Sequence, residues 1–300
     1  MSNPNSIPDV VREIQSKHEV VGRAADLRKL VAAWRAGKHV LVEGEVGVGK
    51  TRVAKAVAEY FNPSFFRVDG SEDLLPHALV GYFDPPTVVR EGYVKDAFVE
   101  GPLTRAMREG GCLFVNEINR MPENTQNVLL TSLDEGTLDL PRLGTLKAKP
   151  GFWVVATQNP AAHVGVTALG EALKDRFVWI KLDHQSEPEE TQITLQEAGL
   201  DPRREEDRLV ASVAVRVVRR TRHHPEVQRG ASVRAAIDAA KLFAQLSNGS
   251  DPRQAVDAWV EAAVMAVSTK LELEDGVERR PDAIVAEIVE EVLSSPAHPW

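Results

Sequence analysis

The stretch "HVLVEGEVGVGKTRVAKAVAEYF", residues 39–61, decides how the rest of the chain is read. It opens as a short β-rich apolar run, His39–Glu43, passes through "GEVGVGKT", and continues in a helical pattern. Gly44, four residues, then Gly49, Lys50 and Thr51 make a P-loop pattern, and strand and helix stand where that pattern requires them. Such glycines let backbone amides curl around a phosphate, and the following helix N-terminus adds partial positive charge. The cradle therefore consists of Gly44, Glu45, Val46, Gly47, Val48, Gly49, Lys50, Thr51 and Arg52. Lys50 is placed to reach the β and γ oxygens of ATP, and the Thr51 hydroxyl to meet Mg2+. A chance glycine-rich turn would not explain the strand before it and the helix after it.

Working outward, four more runs read as strands: Phe65–Asp69, Cys112–Asn116, Phe152–Thr157 and Phe177–Leu182. They alternate with helical or polar connections, which predicts an α/β core with a parallel five-stranded sheet. The runs lack a clean period of two, as strands buried on both faces do. Beyond Asp183 strand signals stop, and helical patterns follow over 188–197, 205–220, 233–246, 252–271 and 281–293. The expected organisation is a nucleotide-binding core over residues 1–184 and an all-helical domain over 185–300.

The run "GGCLFVNEINR", residues 110–120, looks like the strand that carries the two acids of a nucleotide hydrolase, expected beside the P-loop strand. The first acid is replaced by Asn116, and Glu117 follows as the candidate general base. An amide oxygen still accepts a hydrogen bond from a metal-bound water but brings no negative charge. Magnesium keeps several waters, so loss of one indirect carboxylate need not abolish binding. Whether Asp69 or Glu43 offsets the lost charge is open at this stage.

Composition sets outer bounds. Three hundred residues with 43% hydrophobic content suit one large or two modest packed domains. No apolar run approaches a membrane span and no export signal opens the chain, so a cytoplasmic protein without membrane insertion is expected. The lone Cys112 reads as a buried structural thiol. A net charge of -8 argues against broad nucleic-acid binding. The basic run "RVVRRTRHH", residues 216–224, reads as a solvated or intersubunit helix face, and His223 and His224 lack partners at zinc-ligand spacing.

The blocks "KHEVVGR", "HVLVEGEVGVGKT", "DLLPHALVG", "GPLTRAM", "LFVNEINRMPENTQNVLLTSLDEG", "FWVVATQNP" and "EALKDRF" follow one another as in MoxR-type AAA+ ATPases, which the chain resembles over roughly residues 18–245. It departs at Asn116, where aspartate is typical, and at Val46, where proline often stiffens the loop. The resemblance implies a P-loop NTPase core with a helical lid. It also implies catalytic roles for Asn159 as the sensor of the γ-phosphate or attacking water, Arg176 as an arginine finger for the neighbouring subunit's site, and Arg234 as a second sensor on the lid. Ser232 looks like the cap of the helix carrying Arg234. The plainer readings are a strand-ending turn at Asn159 and ordinary surface arginines at 176 and 234.

Two inserts look like those of the helix-2-insert branch: one between Asp73 and Glu100, and a hairpin-like stretch over 136–151 with its turn near Arg142–Gly144. They are candidate pore-facing or client-facing elements, or simply surface loops. The resemblance further implies a homo-oligomer, as a hexameric ring, a client protein complex remodelled or activated in chaperone-like fashion, and a partner with a von Willebrand A domain. Two other functions stay open: a nucleotide-gated scaffold with little hydrolysis, which Asn116 favours, and a DNA-remodelling motor, which the net charge disfavours.

Overall fold

The computed structural model describes residues 6–62, 64–160 and 169–295. The chain divides into two compact units, Met1–Asp183 and His184–Trp300. Strands of the first unit are β1 (His39–Glu43), β2 (Phe65–Asp69), β3 (Gly81–Phe83), β4 (Phe98–Glu100), β5 (Cys112–Asn116), β6 (Thr137–Leu140), β7 (Gly144–Lys147), β8 (Trp153–Gln158) and β9 (Phe177–Lys181). Five of them form a parallel sheet in the order β2-β5-β8-β1-β9, as the alternating pattern predicted.

Both faces of the sheet are apolar, which is why no period of two shows in the sequence. Val40, Val42, Phe114, Trp153, Val155 and Ile180 pack on one side with Leu27, Leu30, Val53 and Val57. Leu41, Leu113, Val115, Val154 and Ala156 pack on the other with Leu103, Met107 and Leu129. Cys112 is buried on the first side, and burial pushes its thiol pKa well above the ordinary value, as suits a structural role.

One expectation about the sheet is corrected. The strand ending in Asn116 is not beside the P-loop strand, because β8 pairs with both β1 and β5 and separates them. Residues at the carboxyl end of β8 therefore stand between the phosphate cradle and the acid-bearing strand.

The inserts have structure of their own. Residues 73–100 hold the helices Pro76–Val80 and Pro85–Glu91 and the antiparallel pair β3-β4, with Phe83 edge-on to both Tyr93 and Phe98. The second insert is a hairpin, β6 with β7, and Arg142 takes a left-handed φ of 62° in its turn. The Arg142 guanidinium lies 3.9 Å from the Tyr93 ring centroid, so the two inserts touch.

The second unit contains the helices Glu187–Ala198, Glu205–Thr221, Val233–Leu246, Val256–Val267 and Pro281–Ser294. Trp259 is wholly buried and stacks on Phe243 at 3.9 Å, with Ala263 and Val267 in the same core. Two expectations differ here. The fourth helix begins at Val256 rather than Pro252, because the Asp251 side chain accepts from the Arg253 amide and Trp259 Nε1 donates to the Pro252 carbonyl, holding 251–255 as a turn. The unit is also not purely helical: β10 (Val227–Arg229) and β11 (Glu272–Leu273) form a small antiparallel pair. Strands of two and three residues are too short to register as a periodic signal.

Candidate functional site

The phosphate cradle follows β1. Gly47 and Gly49 adopt φ of 84° and 93°, in the left-handed region that glycine enters without a side-chain clash. At Gly44 the limit is space instead, since an added Cβ would stand 2.5 Å from the Leu182 carbonyl oxygen. The helix Lys50–Phe61 starts directly after Gly49 with no side-chain cap, and the partial positive charge of its N-terminus favours an anion there. These features fit the phosphates of a nucleotide.

Lys50 is only 8% exposed, and its ammonium donates to the carbonyls of Gly44 and Glu45 at 2.6 and 2.9 Å and to Asn159 Oδ1 at 3.0 Å. Asn159, just beyond β8, then donates through Nδ2 to Glu117 Oε1 at 3.3 Å. The fold thus brings Lys50, Asn159 and Glu117 into one hydrogen-bonded line. Arg120 holds the other carboxylate oxygen of Glu117 at 3.0 Å.

Glu117 has φ 54° and ψ 51°, a left-handed conformation that costs a residue with a Cβ about 1–2 kcal/mol. Its amide is fixed by donation to Thr157 Oγ1 at 2.9 Å, and the Thr157 hydroxyl donates in turn to Asn116 Oδ1 at 3.1 Å. Asn116 Nδ2 donates to Asp69 Oδ1 at 2.8 Å. Asp69 also accepts from Arg67, and that bond, with help from Asn116, holds its carboxyl below the usual range. Glu43, the other acid considered for the lost charge, accepts instead from Gln158.

Several supports went unnoticed in the sequence. Arg23, in a left-handed φ of 60°, donates to the Val48 carbonyl at 2.7 Å and to Asp26 at 3.1 Å, buttressing the loop from below. Asn119, buried, donates to the Asn159 carbonyl at 3.3 Å. Thr157 is a wholly buried hydroxyl at the end of an apolar strand, and that mismatch was the available signal. Arg52, counted with the cradle, donates to the Glu19 carbonyl at 2.9 Å.

Not every predicted residue joins this cluster. Arg176 precedes β9, whose first residue pairs with His39 at the start of β1, whereas the cradle leaves the far end of β1. Four strand steps, about 13 Å, separate those levels. Arg176 is bonded to Asp134 at 2.9 Å and to the Ala172 carbonyl. Arg234 is exposed in the second unit, on the helix Val233–Leu246; Ser232 holds the N-cap position of that helix but makes no side-chain capping bond. In the basic run of the same unit, Arg219 and Arg222 meet the buried Glu190 at 3.2 and 2.8 Å, and Arg220 meets Glu291 at 3.1 Å. These arginines are engaged within their own unit.

A P-loop on a five-stranded parallel sheet, with an asparagine-tipped strand set between loop strand and acid strand, defines a nucleotide-binding ATPase domain of the AAA+ class. Residues 39–177 match the AAA domain of the dynein-related subfamily. The chain is 33% identical to Bacillus subtilis YojN over 235 residues, 76% of this chain and 73% of that protein. It is 32% identical over 231 residues to the denitrification regulatory protein NirQ of Stutzerimonas stutzeri, covering 74% and 77% of the two. A crystal structure from Cytophaga hutchinsonii superposes with a TM-score of 0.52 at 22% identity, over 95% of this chain and 94% of that one. The chain belongs to the MoxR-type AAA+ ATPase family.

Proposed function

We propose that this protein binds and hydrolyses Mg2+-ATP in a homo-oligomeric ring, a hexamer in the family's manner, and uses the cycle to remodel or activate a client protein complex. The observation that carries the reading is the line Lys50–Asn159–Glu117, which ties the phosphate-binding lysine to the candidate base through the sensor amide. Lys50 donates to the β and γ oxygens in place of a loop carbonyl. Glu117 accepts the proton of the attacking water, with Asn159 and Arg120 fixing its two oxygens. Bound Mg2+ neutralises phosphate charge and would be held by Thr51 and, through a water, by the Asn116 oxygen.

Arg176 is too far down the sheet for its own subunit's cradle, which supports its use as a finger in a neighbour's site. A guanidinium so placed is worth about 10³ to 10⁵ in rate where it has been measured. Arg234 is proposed to act on the same nucleotide from the lid unit. The touching inserts, with Tyr82, Val89 and Tyr93 exposed, are the proposed client-facing surface. A von Willebrand A domain partner and a cytoplasmic setting complete the reading. No helix among the described residues is long and apolar enough to cross a membrane.

A second reading, a nucleotide-gated scaffold, draws on the Asn116 amide, which carries no charge to the metal. Steady-state ATP turnover with magnesium, across protein concentrations and with Glu117→Gln as blank, separates the two. Turnover above the blank and rising with concentration supports the ring ATPase. Nucleotide binding with turnover equal to the blank overturns hydrolysis in favour of the scaffold.

A further inference from the structure

Asn116 does not stand alone at the end of β5. It faces Asp69 in register on β2 and lies beside Thr157 on β8, so the three side chains form a row across the sheet toward the P-loop strand. The bonds in that row have one direction. The Glu117 amide donates to Thr157, the Thr157 hydroxyl donates to the Asn116 carbonyl, and the Asn116 amide nitrogen donates to the Asp69 carboxylate. A carboxylate is an acceptor only, so Asp69 decides which end of the amide faces it. The carbonyl oxygen is thereby turned toward β8 and the cradle.

Arg67 fixes Asp69 in turn, through Nε at 2.9 Å and Nη2 at 2.6 Å. The backbone is built equally closely: the Gly70 amide donates to the Asn116 carbonyl at 2.7 Å, and a Cβ on Gly70 would meet the Glu117 carbonyl oxygen at 2.2 Å. The end of β2 is therefore seated on the Asn116–Glu117 corner.

We propose that Asp69 is a positioning residue for the magnesium side of the nucleotide site, locking the Asn116 amide so that its oxygen occupies the acceptor role an aspartate would fill. The acid is displaced by one strand, and the asparagine transmits its effect as an oriented dipole. This rests on the proposed Mg2+-ATP site but not on hydrolysis. Partners that orient a metal-binding group typically change metal affinity by about 10- to 100-fold when removed.

The test is binding of a non-hydrolysable ATP analogue to the full chain, with magnesium and with a chelator, followed by calorimetry. In the unsubstituted protein magnesium should tighten binding. Asp69→Asn should lose about tenfold or more of that tightening, with chelator-state affinity unchanged and a cooperative melting transition retained. Adding Asn116→Asp should restore it, because the amide and the carboxylate have then exchanged strands while the bond between them survives. Undiminished tightening in Asp69→Asn, or a double variant no better than the single one, would overturn the inference and leave the ATPase reading intact. Absence of any magnesium effect in the unsubstituted chain would overturn the Mg2+-ATP site and this inference together.

Discussion

Thr157→Val removes one hydroxyl and almost no volume, and it should unsettle both acid-strand residues at once. Thr157 is 0% exposed, so no solvent replaces its oxygen. The variant leaves the Glu117 amide without its acceptor, at a cost of about 1–3 kcal/mol. It also leaves the Asn116 oxygen without its donor at that position. The amide bond helps to hold Glu117 in its left-handed conformation, so its loss frees the carboxylate to leave the line to Asn159. With about 2–4 °C per kcal/mol for a domain of this size, the melting temperature should fall by about 2–12 °C. Turnover should fall by about tenfold or more through mispositioning of the base. Thr157→Ser keeps the hydroxyl and should keep most of both properties. Differential scanning calorimetry and steady-state turnover on the two variants decide the matter. Serine as damaging as valine, or valine without effect on either measurement, would refute the hydrogen-bond argument.

Gly70→Ala must push the backbone away from the Glu117 carbonyl, 2.2 Å from the new Cβ, and should cost about 1–3 kcal/mol in urea unfolding together with turnover. Arg176→Ala should leave nucleotide affinity of the dilute protein unchanged while removing the rise of specific turnover with concentration; unchanged concentration dependence would sink the shared-site proposal. His39 accepts from the Val154 amide at 3.0 Å, and burial pushes its pKa down to about 4, against about 6.5 in an unfolded chain. Its contribution is complete above pH 6.5 and lost as pH falls toward 4, where the unfolded chain takes up a proton the folded one refuses, a difference of about 3 kcal/mol. Urea midpoints against pH should show this drop, and His39→Gln should flatten it.

What could be read from the sequence is what consecutive residues decide by themselves. The cradle is local, since its amides, its glycines at positive φ and its helix N-terminus all fall within residues 44–52. The five strands were visible because each is an apolar run bounded by polar turns. Strand order was not visible: nothing in residues 112–158 says that β8 enters between β1 and β5. Everything that depends on that order was hidden too, including the contact of Lys50 with Asn159 over 109 residues and of Asn116 with Asp69 over 47. The left-handed backbone at Glu117 was equally silent, because a glutamate there carries none of the conformational preference a glycine would announce.

The same distinction explains why Asn116 changes meaning between sequence and structure. In sequence it stands alone against an expected aspartate and reads as a missing charge. In the fold it has an ionisable neighbour at hydrogen-bond distance, and an aspartate at 116 would set two carboxylates against each other with no hydrogen between them. Asparagine is the residue that satisfies Asp69 and Thr157 together, one by donating and the other by accepting. The substitution therefore has to be judged as half of a pair: Asn116→Asp alone sets two carboxylates face to face, Asp69→Asn alone leaves two amides with no fixed orientation, and exchanging both keeps one carboxylate opposite one amide.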